Sequence, residues 1–179
     1  MKIVQIGWVK TGSSSLHKAL NLLDFYDQCG EDWNGEIAFR NLKELSNKTL
    51  IPFYIQWPWC QYQMAIKLYE KWDDVYFIYL KRDFEKQHGS RYRDFSGNPW
   101  GDENGPWTSQ EFLERKNEVI DTWKEEEKHI NNFLSEIPRD RWVEMNICDN
   151  GDGWEKLCSF LNVPIPAIFF PSTNEGGRG

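Results

Sequence analysis

The chain has 179 residues, a length typical of one compact domain, and we expect a single domain over residues 1–179. It carries 21 Lys and Arg against 28 Asp and Glu, a formal net charge of −7, which argues against a general surface for nucleic acid or anionic membranes. No apolar run approaches the ~18 residues of a membrane span, and no signal-peptide core precedes the first apolar run. We therefore expect a cytoplasmic protein that binds neither nucleic acid nor membrane.

The beginning of the chain predicts a strand, a loop and a helix. The apolar run at residues 3–6 predicts a strand that stops at Gly7, and a helix is predicted from about residue 13 to 23. A helix N-terminus presents unpaired backbone N–H groups and the positive end of a dipole, and Gly12 lets the backbone approach an anion closely. This stretch therefore predicts a phosphate-binding loop.

The position of the lysine decides which kind of loop this is. Gly7 and Gly12 are spaced as in a Walker A motif, but Ser13 stands where that motif requires lysine. The lysine is Lys10, inside the loop. The alternative is an ordinary turn capped by serine, which has little use for a lysine, a threonine and three serines together. The residues expected to hold the phosphate are Lys10, Thr11, Gly12, Ser13, Ser14 and Ser15.

Predicted helices and strands alternate through the middle of the chain. We expect a polar turn at residues 24–35, a short helix at 37–45, a strand at 50–56 and a helix at 64–72. Residues 75–80 are an unbroken apolar run, typical of a strand buried on both faces of a parallel sheet. The charged residues 81–83 follow at its C-terminal end, the edge where open α/β sheets bind ligands.

The last half of the chain continues this alternation. We expect a helix at residues 84–93, a surface loop at 95–108, one long helix that opens at Ser109 and ends before Pro138, a strand at 142–147 and a helix at 153–161. Strands that alternate with helices predict an α/β sandwich with a mostly parallel sheet of about four or five strands.

Arg82 and Ser90 follow the buried strand, and the family resemblance given in the next paragraph implies that they form a second anion site. The arginine ends the buried strand, and its planar fork suits bidentate contacts to phosphate oxygens. The serine lies on the first turns of the next predicted helix and would face back toward it. The alternative is an arginine that pairs with a nearby acid such as Asp83 or Glu85.

Three motifs, in chain order, resemble those of the P-loop sulfotransferases. The first, Val9-Lys10-Thr11-Gly12-Ser13-Ser14-Ser15-Leu16, is similar to the family's 5′-phosphosulfate loop P-K-T-G-T-T-S-L. The second is the strand end Arg82-Asp83-Phe84 with Ser90, where the family has Arg-Asp-Pro and a serine. The third, residues 146–174, resembles the C-terminal part of one subfamily and closes on Phe170-Pro171-Ser172-Thr173-Asn174.

This resemblance implies a P-loop NTPase-like three-layer fold and transfer of a sulfuryl group from 3′-phosphoadenylyl sulfate (PAPS) to the hydroxyl or amine of a small-molecule or carbohydrate acceptor. It implies that Lys10 is catalytic, that backbone amides of residues 11–14 and the hydroxyls of Ser14 and Ser15 hold the 5′-phosphate, and that Arg82 and Ser90 hold the 3′-phosphate. No metal is called for.

The base on the acceptor side is left open by the sequence. Gln56 stands where many members have a histidine or an acid, and glutamine takes up no proton at neutral pH. His17, on the first helix, is the candidate base, with Asp83, Asp94 and Asp102 as alternatives. At the other end of the chain, Arg178 is a candidate for closing over the nucleotide.

Two other functions fit parts of the same pattern. A P-loop kinase would bind ATP with Mg²⁺, but it requires a lysine after Gly12. A non-catalytic protein could keep the site for adenosine 3′,5′-bisphosphate and lack a base, as Gln56 would allow.

Overall fold

The structure is a computed structural model, and it describes residues 1–8, 10–27, 52–54, 62–95, 101–102, 105–106 and 109–172. The expected helix at residues 37–45, Gln56 and Arg178 lie outside the described residues.

Strands and helices alternate along the described chain. The strands are β1 (Lys2–Ile6), β2 (Tyr26–Asp27), β3 (Pro52–Tyr54), β4 (Val75–Leu80), β5 (Gly101–Asp102), β6 (Gly105–Pro106) and β7 (Trp142–Met145). The helices are α1 (Ser13–Leu22), α2 (Tyr62–Lys71), α3 (Phe84–Phe95), α4 (Ser109–Glu114), α5 (Lys116–Ser135) and α6 (Trp154–Leu161), and a 3₁₀ turn covers Arg139–Arg141.

The first strand lies in the middle of a parallel sheet. The strand order is β2-β3-β1-β4-β7, and every neighbouring pair is parallel. The prediction of an α/β fold with a parallel sheet flanked by helices is confirmed. Because parallel strands end at the same edge, the segments that follow β1, β4 and β7 leave the sheet side by side.

Helices cover both faces of the sheet. Successive side chains of a strand point to opposite faces, so β1 and β4 contribute to two separate cores. The first core lies against α1 and α6 and includes Ile3, Ile78, Leu80, Leu16 and Leu157. The second lies against α2 and α5 and includes Val4, Ile6, Phe77, Leu68 and Leu134. This burial on both faces explains why β4 is apolar without interruption.

Three parts of the fold differ from the expectation. The predicted polar turn contains β2, whose two residues pair with β3 and are too few to give a periodic pattern. The segment expected as a loop contains the antiparallel pair β5 and β6. The single long helix expected from Ser109 is two helices, α4 and α5, because the chain leaves helical geometry at Arg115, where ψ is 15°.

Within the described ranges, no helix has the length and apolar character needed to cross a membrane.

Candidate functional site

The loop between β1 and α1 begins at a position that only glycine fits. Gly7 has φ +118°, and a Cβ built on it would lie 2.4 Å from the carbonyl oxygen of Leu80, the last residue of β4. An L side chain would therefore meet both backbone strain and a backbone clash. This close approach fixes the start of the loop against the C-terminal end of β4.

The loop ends at a second glycine, Gly12, which precedes α1 and has φ +104°. A Cβ there would lie 3.1 Å from Cβ of Ile147 and 3.4 Å from Sγ of Cys148, so the segment after β7 backs the loop. Helix α1 has no side-chain cap and no acidic residue in its first turn. Its N-terminus therefore keeps the positive dipole end and the N–H groups that favour an anion.

The residues between the two glycines hold the loop in shape. Thr11 is buried, and its hydroxyl donates a hydrogen bond of 2.6 Å to the carbonyl oxygen of Trp8. Lys10 has φ +64°, a left-handed conformation that costs an L residue about 1 kcal/mol or more. Its side chain is half-buried, as are Ser13 and Ser14, whereas Ser15 is buried. The threonine hydroxyl thus serves the loop itself.

Arg82 connects this loop to the end of β4. Its Nη1 donates a hydrogen bond of 2.9 Å to the carbonyl oxygen of Lys10. The sequence assigns these two residues to different phosphates, and the structure brings them into direct contact. The bond also helps to keep Lys10 in its left-handed conformation. The guanidinium of Arg82 therefore contacts the backbone of the loop that carries Lys10, at the C-terminal edge of the sheet.

The acid beside Arg82 is Asp149, from the turn after β7. Its Oδ1 lies 3.7 Å from Nε of Arg82 and 3.3 Å from Nζ of Lys86, and its Oδ2 accepts a hydrogen bond of 2.9 Å from the backbone N–H of Asp83. Burial raises the pKa of the Asp149 carboxyl, but the Asp83 hydrogen bond and the charges of Lys86 and Arg82 together outweigh it. The pKa is therefore below its ordinary value, and the carboxylate is charged at neutral pH.

Sequence reasoning missed Asp149 and Lys86. The alternative to a phosphate site was an arginine paired with a nearby acid such as Asp83 or Glu85, immediately next in the chain. The acid comes instead from the turn after β7, because β4 and β7 pair in parallel and end together. The acidic, glycine-containing turn at residues 149–153 was the available signal.

The other predicted site residues lie around this centre. His17 is half-buried on α1, one turn beyond the loop, and Ser90 is half-buried on α3, two turns beyond Arg82. Asp83 is exposed, and its Oδ1 accepts a hydrogen bond of 3.1 Å from the backbone N–H of Lys86. Of the two remaining alternative bases, residues 94 and 102, only the backbone is described.

A second polar group lies at the end of β4 on the opposite face from Arg82. Nζ of Lys81 lies 3.4 Å from a carboxylate oxygen of Glu127 and 3.4 Å from one of Glu144. The buried Tyr79 hydroxyl donates a hydrogen bond of 3.4 Å to Glu127. Burial first, and then the two negative charges, raise the pKa of Tyr79, so its phenol stays protonated. This group ties α5 to the sheet beside the loop.

One protein family matches the chain. The family described as sulfotransferase domain matches residues 98–178, a little under half of the chain, and the match supports assigning the chain to a sulfotransferase family. The matched part contains α5, β7, α6 and Asp149, whereas Lys10 and Arg82 precede it. No curated protein is similar enough to give a match.

Proposed function

We propose that this chain, which matches a sulfotransferase domain over residues 98–178, transfers a sulfuryl group from PAPS to an acceptor hydroxyl or amine. The observation that carries the proposal is the hydrogen bond from Arg82 to the carbonyl oxygen of Lys10. PAPS carries phosphates at the 5′ and 3′ positions of one ribose, so it requires two anion sites close together. The proposal includes one domain with a P-loop NTPase-like fold.

The described residues fit such a donor. The uncapped N-terminus of α1, with Gly12 before it, suits the 5′-phosphate, and the hydroxyls of Ser13 and Ser14 lie in its first turn. Arg82, at the neighbouring strand end, suits the 3′-phosphate, and Ser90 on α3 is proposed to share that contact. Lys10, in the loop that Arg82 contacts, is proposed to lie between the two phosphates.

The proposed chemistry is a single displacement at sulfur. When bound, PAPS supplies a sulfur–oxygen bond to its 5′-phosphate, which breaks as the acceptor atom bonds to sulfur. Lys10 would stabilise the negative charge that develops on the departing phosphate oxygen, a role in which one positioned donor typically contributes about a hundredfold or more to the rate. A base would take the proton from the acceptor, and His17 is the proposed base among the described residues.

Ligand-induced thermal stabilisation tests the donor site. The melting temperature would be measured without metal in the presence of adenosine 3′,5′-bisphosphate, and separately with ATP with and without Mg²⁺. We expect stabilisation by the bisphosphate without metal and a smaller effect of ATP. Equal stabilisation by both ligands, or a strict requirement for Mg²⁺, would favour a P-loop kinase and overturn the proposal.

A transfer assay separates an enzyme from a binding protein. Labelled PAPS would be incubated with pooled phenols, carbohydrates and amines, using the wild type and Lys10→Ala. Transfer by the wild type that the substitution abolishes would support the proposal. Binding of the bisphosphate with no transfer to any acceptor class would instead support a non-catalytic nucleotide-binding protein.

A further inference from the structure

We propose that Asp149 is a positioning residue that holds Arg82 and Lys86 together as a two-cation site for the second phosphate of the donor, with Lys86 in direct contact with that phosphate. The inference rests on the proposed function and deepens it. It adds Asp149 and Lys86, two residues that the sequence analysis did not assign to the phosphate site.

One carboxylate, that of Asp149, contacts three groups that follow β4. Asp149 faces the guanidinium of Arg82 at 3.7 Å, the ammonium of Lys86 at 3.3 Å and the backbone N–H of Asp83 at 2.9 Å. The first two approach the same oxygen, Oδ1. Because both cations are drawn to one atom, they lie close to each other, at the strand end that also contacts the loop through Lys10.

The three charged side chains differ in how deeply they are buried. The side chain of Asp149 is 9% exposed, that of Arg82 is 18% exposed and that of Lys86 is 60% exposed. The carboxylate is therefore the most buried of the three groups, and the Lys86 ammonium is the group most open to a ligand from solvent. A lysine on a flexible stem can turn toward a phosphate without moving its helix.

Arg82 and Lys86 have more hydrogen-bond donors than their described contacts use. A guanidinium has five N–H donors and an ammonium has three, and neither accepts a hydrogen bond. Among the described residues, Arg82 uses one donor on Lys10, and its buried Nε lies 3.7 Å from Asp149 without forming a hydrogen bond, while Lys86 directs one donor toward Asp149. Several charged donors of both side chains are thus left for phosphate oxygens. Charge-assisted hydrogen bonds of this kind are the stronger ones in proteins.

The same turn provides a matched control pair. Asp152 accepts a hydrogen bond of 2.7 Å from the backbone N–H of Asn146 and pairs with Lys156 at 2.8 Å. This pair has the same chemistry as Asp149 with Lys86, a turn carboxylate with a helix lysine. Its described contacts do not include Arg82. Asn146 also accepts a hydrogen bond of 2.9 Å from the backbone N–H of Asp149, so Asp152→Asn controls for a general disturbance of the turn, and Lys156→Gln controls for the loss of a helix lysine.

Calorimetric titration tests the inference. The dissociation constants of adenosine 3′,5′-bisphosphate and adenosine 5′-monophosphate would be measured for the wild type, Asp149→Asn, Lys86→Gln, Asp152→Asn and Lys156→Gln. We expect the first two substitutions to weaken bisphosphate binding by about tenfold or more and to leave monophosphate binding unchanged. The two control substitutions leave the ratio of the two affinities at its wild-type value.

The outcomes distinguish this inference from the proposed function. If Asp149→Asn and Lys86→Gln weaken the binding of both ligands equally, or weaken the binding of neither, the proposed positioning role is wrong. Lys86 is largely exposed, so its substitution reports on binding even if Asp149→Asn destabilises the turn. If the wild type itself binds the two ligands equally well, the proposed function fails, and this inference fails with it.

Discussion

Gly7 lies so close to Leu80 that a Cβ on the glycine would be 2.4 Å from the leucine carbonyl oxygen. The contact joins the end of β1 to the end of β4, the two strands whose loops carry Lys10 and Arg82. The separation of the two basic residues is therefore fixed by backbone packing.

Gly7→Ala should lower the free energy of unfolding by at least ~2 kcal/mol, because it combines backbone strain with a clash against an immobile carbonyl. Chemical denaturation measures the change. Gly151→Ala is the matched control, since Gly151 also has a positive φ, +69°, but no atom lies within 4 Å of its Cβ position. The control should cost about 1 kcal/mol. If both variants lose the same free energy of unfolding, the contact with Leu80 contributes nothing to the cost of Gly7→Ala.

Lys10→Gly should remove transfer without harming the fold. Glycine relieves the left-handed strain at φ +64°, which offsets its greater freedom in the unfolded chain, so the free energy of unfolding should stay within about 1 kcal/mol of wild type. The transfer rate should fall by about a hundredfold or more. Lys18→Ala, an exposed lysine on α1, is the control and should leave both quantities unchanged. Normal transfer by Lys10→Gly would exclude a catalytic role for the lysine.

Asp74→Asn should reduce the amount of stability that the protein loses when the pH is lowered. Burial raises the pKa of the Asp74 carboxyl, but hydrogen bonds and charges from Lys2 and the terminal amino group outweigh it and lower the pKa to about 2. A lowered pKa contributes stability above the ordinary value of 3.8, and this contribution is lost as the pH falls toward about 2. Because Asp74 is 48% exposed, solvent screening limits the effect to less than about 1 kcal/mol.

Unfolding midpoints measured from about pH 5 to about pH 2, the range over which a carboxylate titrates, test this effect. The variant should differ from wild type at the upper end of the range and converge with it at the lower end. Asp121→Asn, at an exposed position on α5, is the control. A constant difference over the whole range would show that the contribution of Asp74 does not depend on its charge.

Trp154→Phe should loosen the segment that follows α6. The indole Nε1 of Trp154 donates a hydrogen bond of 2.8 Å to the carbonyl oxygen of Ile168, and its ring packs edge-on against Phe170 at 4.9 Å between centroids. Phenylalanine loses the hydrogen bond and leaves a gap, which should cost about 2 kcal/mol. Phe169→Ala, at a side chain that is 99% exposed, should change stability by less than about 0.5 kcal/mol. Denaturation curves compare the two, and limited proteolysis shows whether cleavage near Ile168 increases only in Trp154→Phe.

Local sequence signals predicted the parts of the fold that depend on neighbours along the chain. The buried strand β4 follows from six consecutive apolar residues, and the loop before α1 follows from its glycines and hydroxyl residues. The rule for open α/β sheets placed Arg82 at the edge where ligands bind, whereas its contact with the loop was seen only in the structure.

Features that depend on pairing between distant segments were not predictable. Asp149 meets Arg82 only because Leu80 of β4 aligns with Met145 of β7, and no local pattern encodes that register. Strand β2 has only two residues, too few to show the alternation of apolar and polar residues that identifies a strand. The break at Arg115 is hidden because apolar residues continue at helical spacing on both sides of it.

The central position of β1 also determines the order of events as the chain folds. Among the described residues, residues 2–6 pair with residues 52–54 and 75–80, so this strand has no described partner near it in the chain. Pairing that closes such long loops is slow, and it leaves apolar strand surface exposed until the later strands are available. The loop between β1 and α1 contacts Leu80 and Arg82, so we expect it to become ordered only after β4 has docked. Nascent chains that end before β4 would therefore be the ones most in need of chaperone protection.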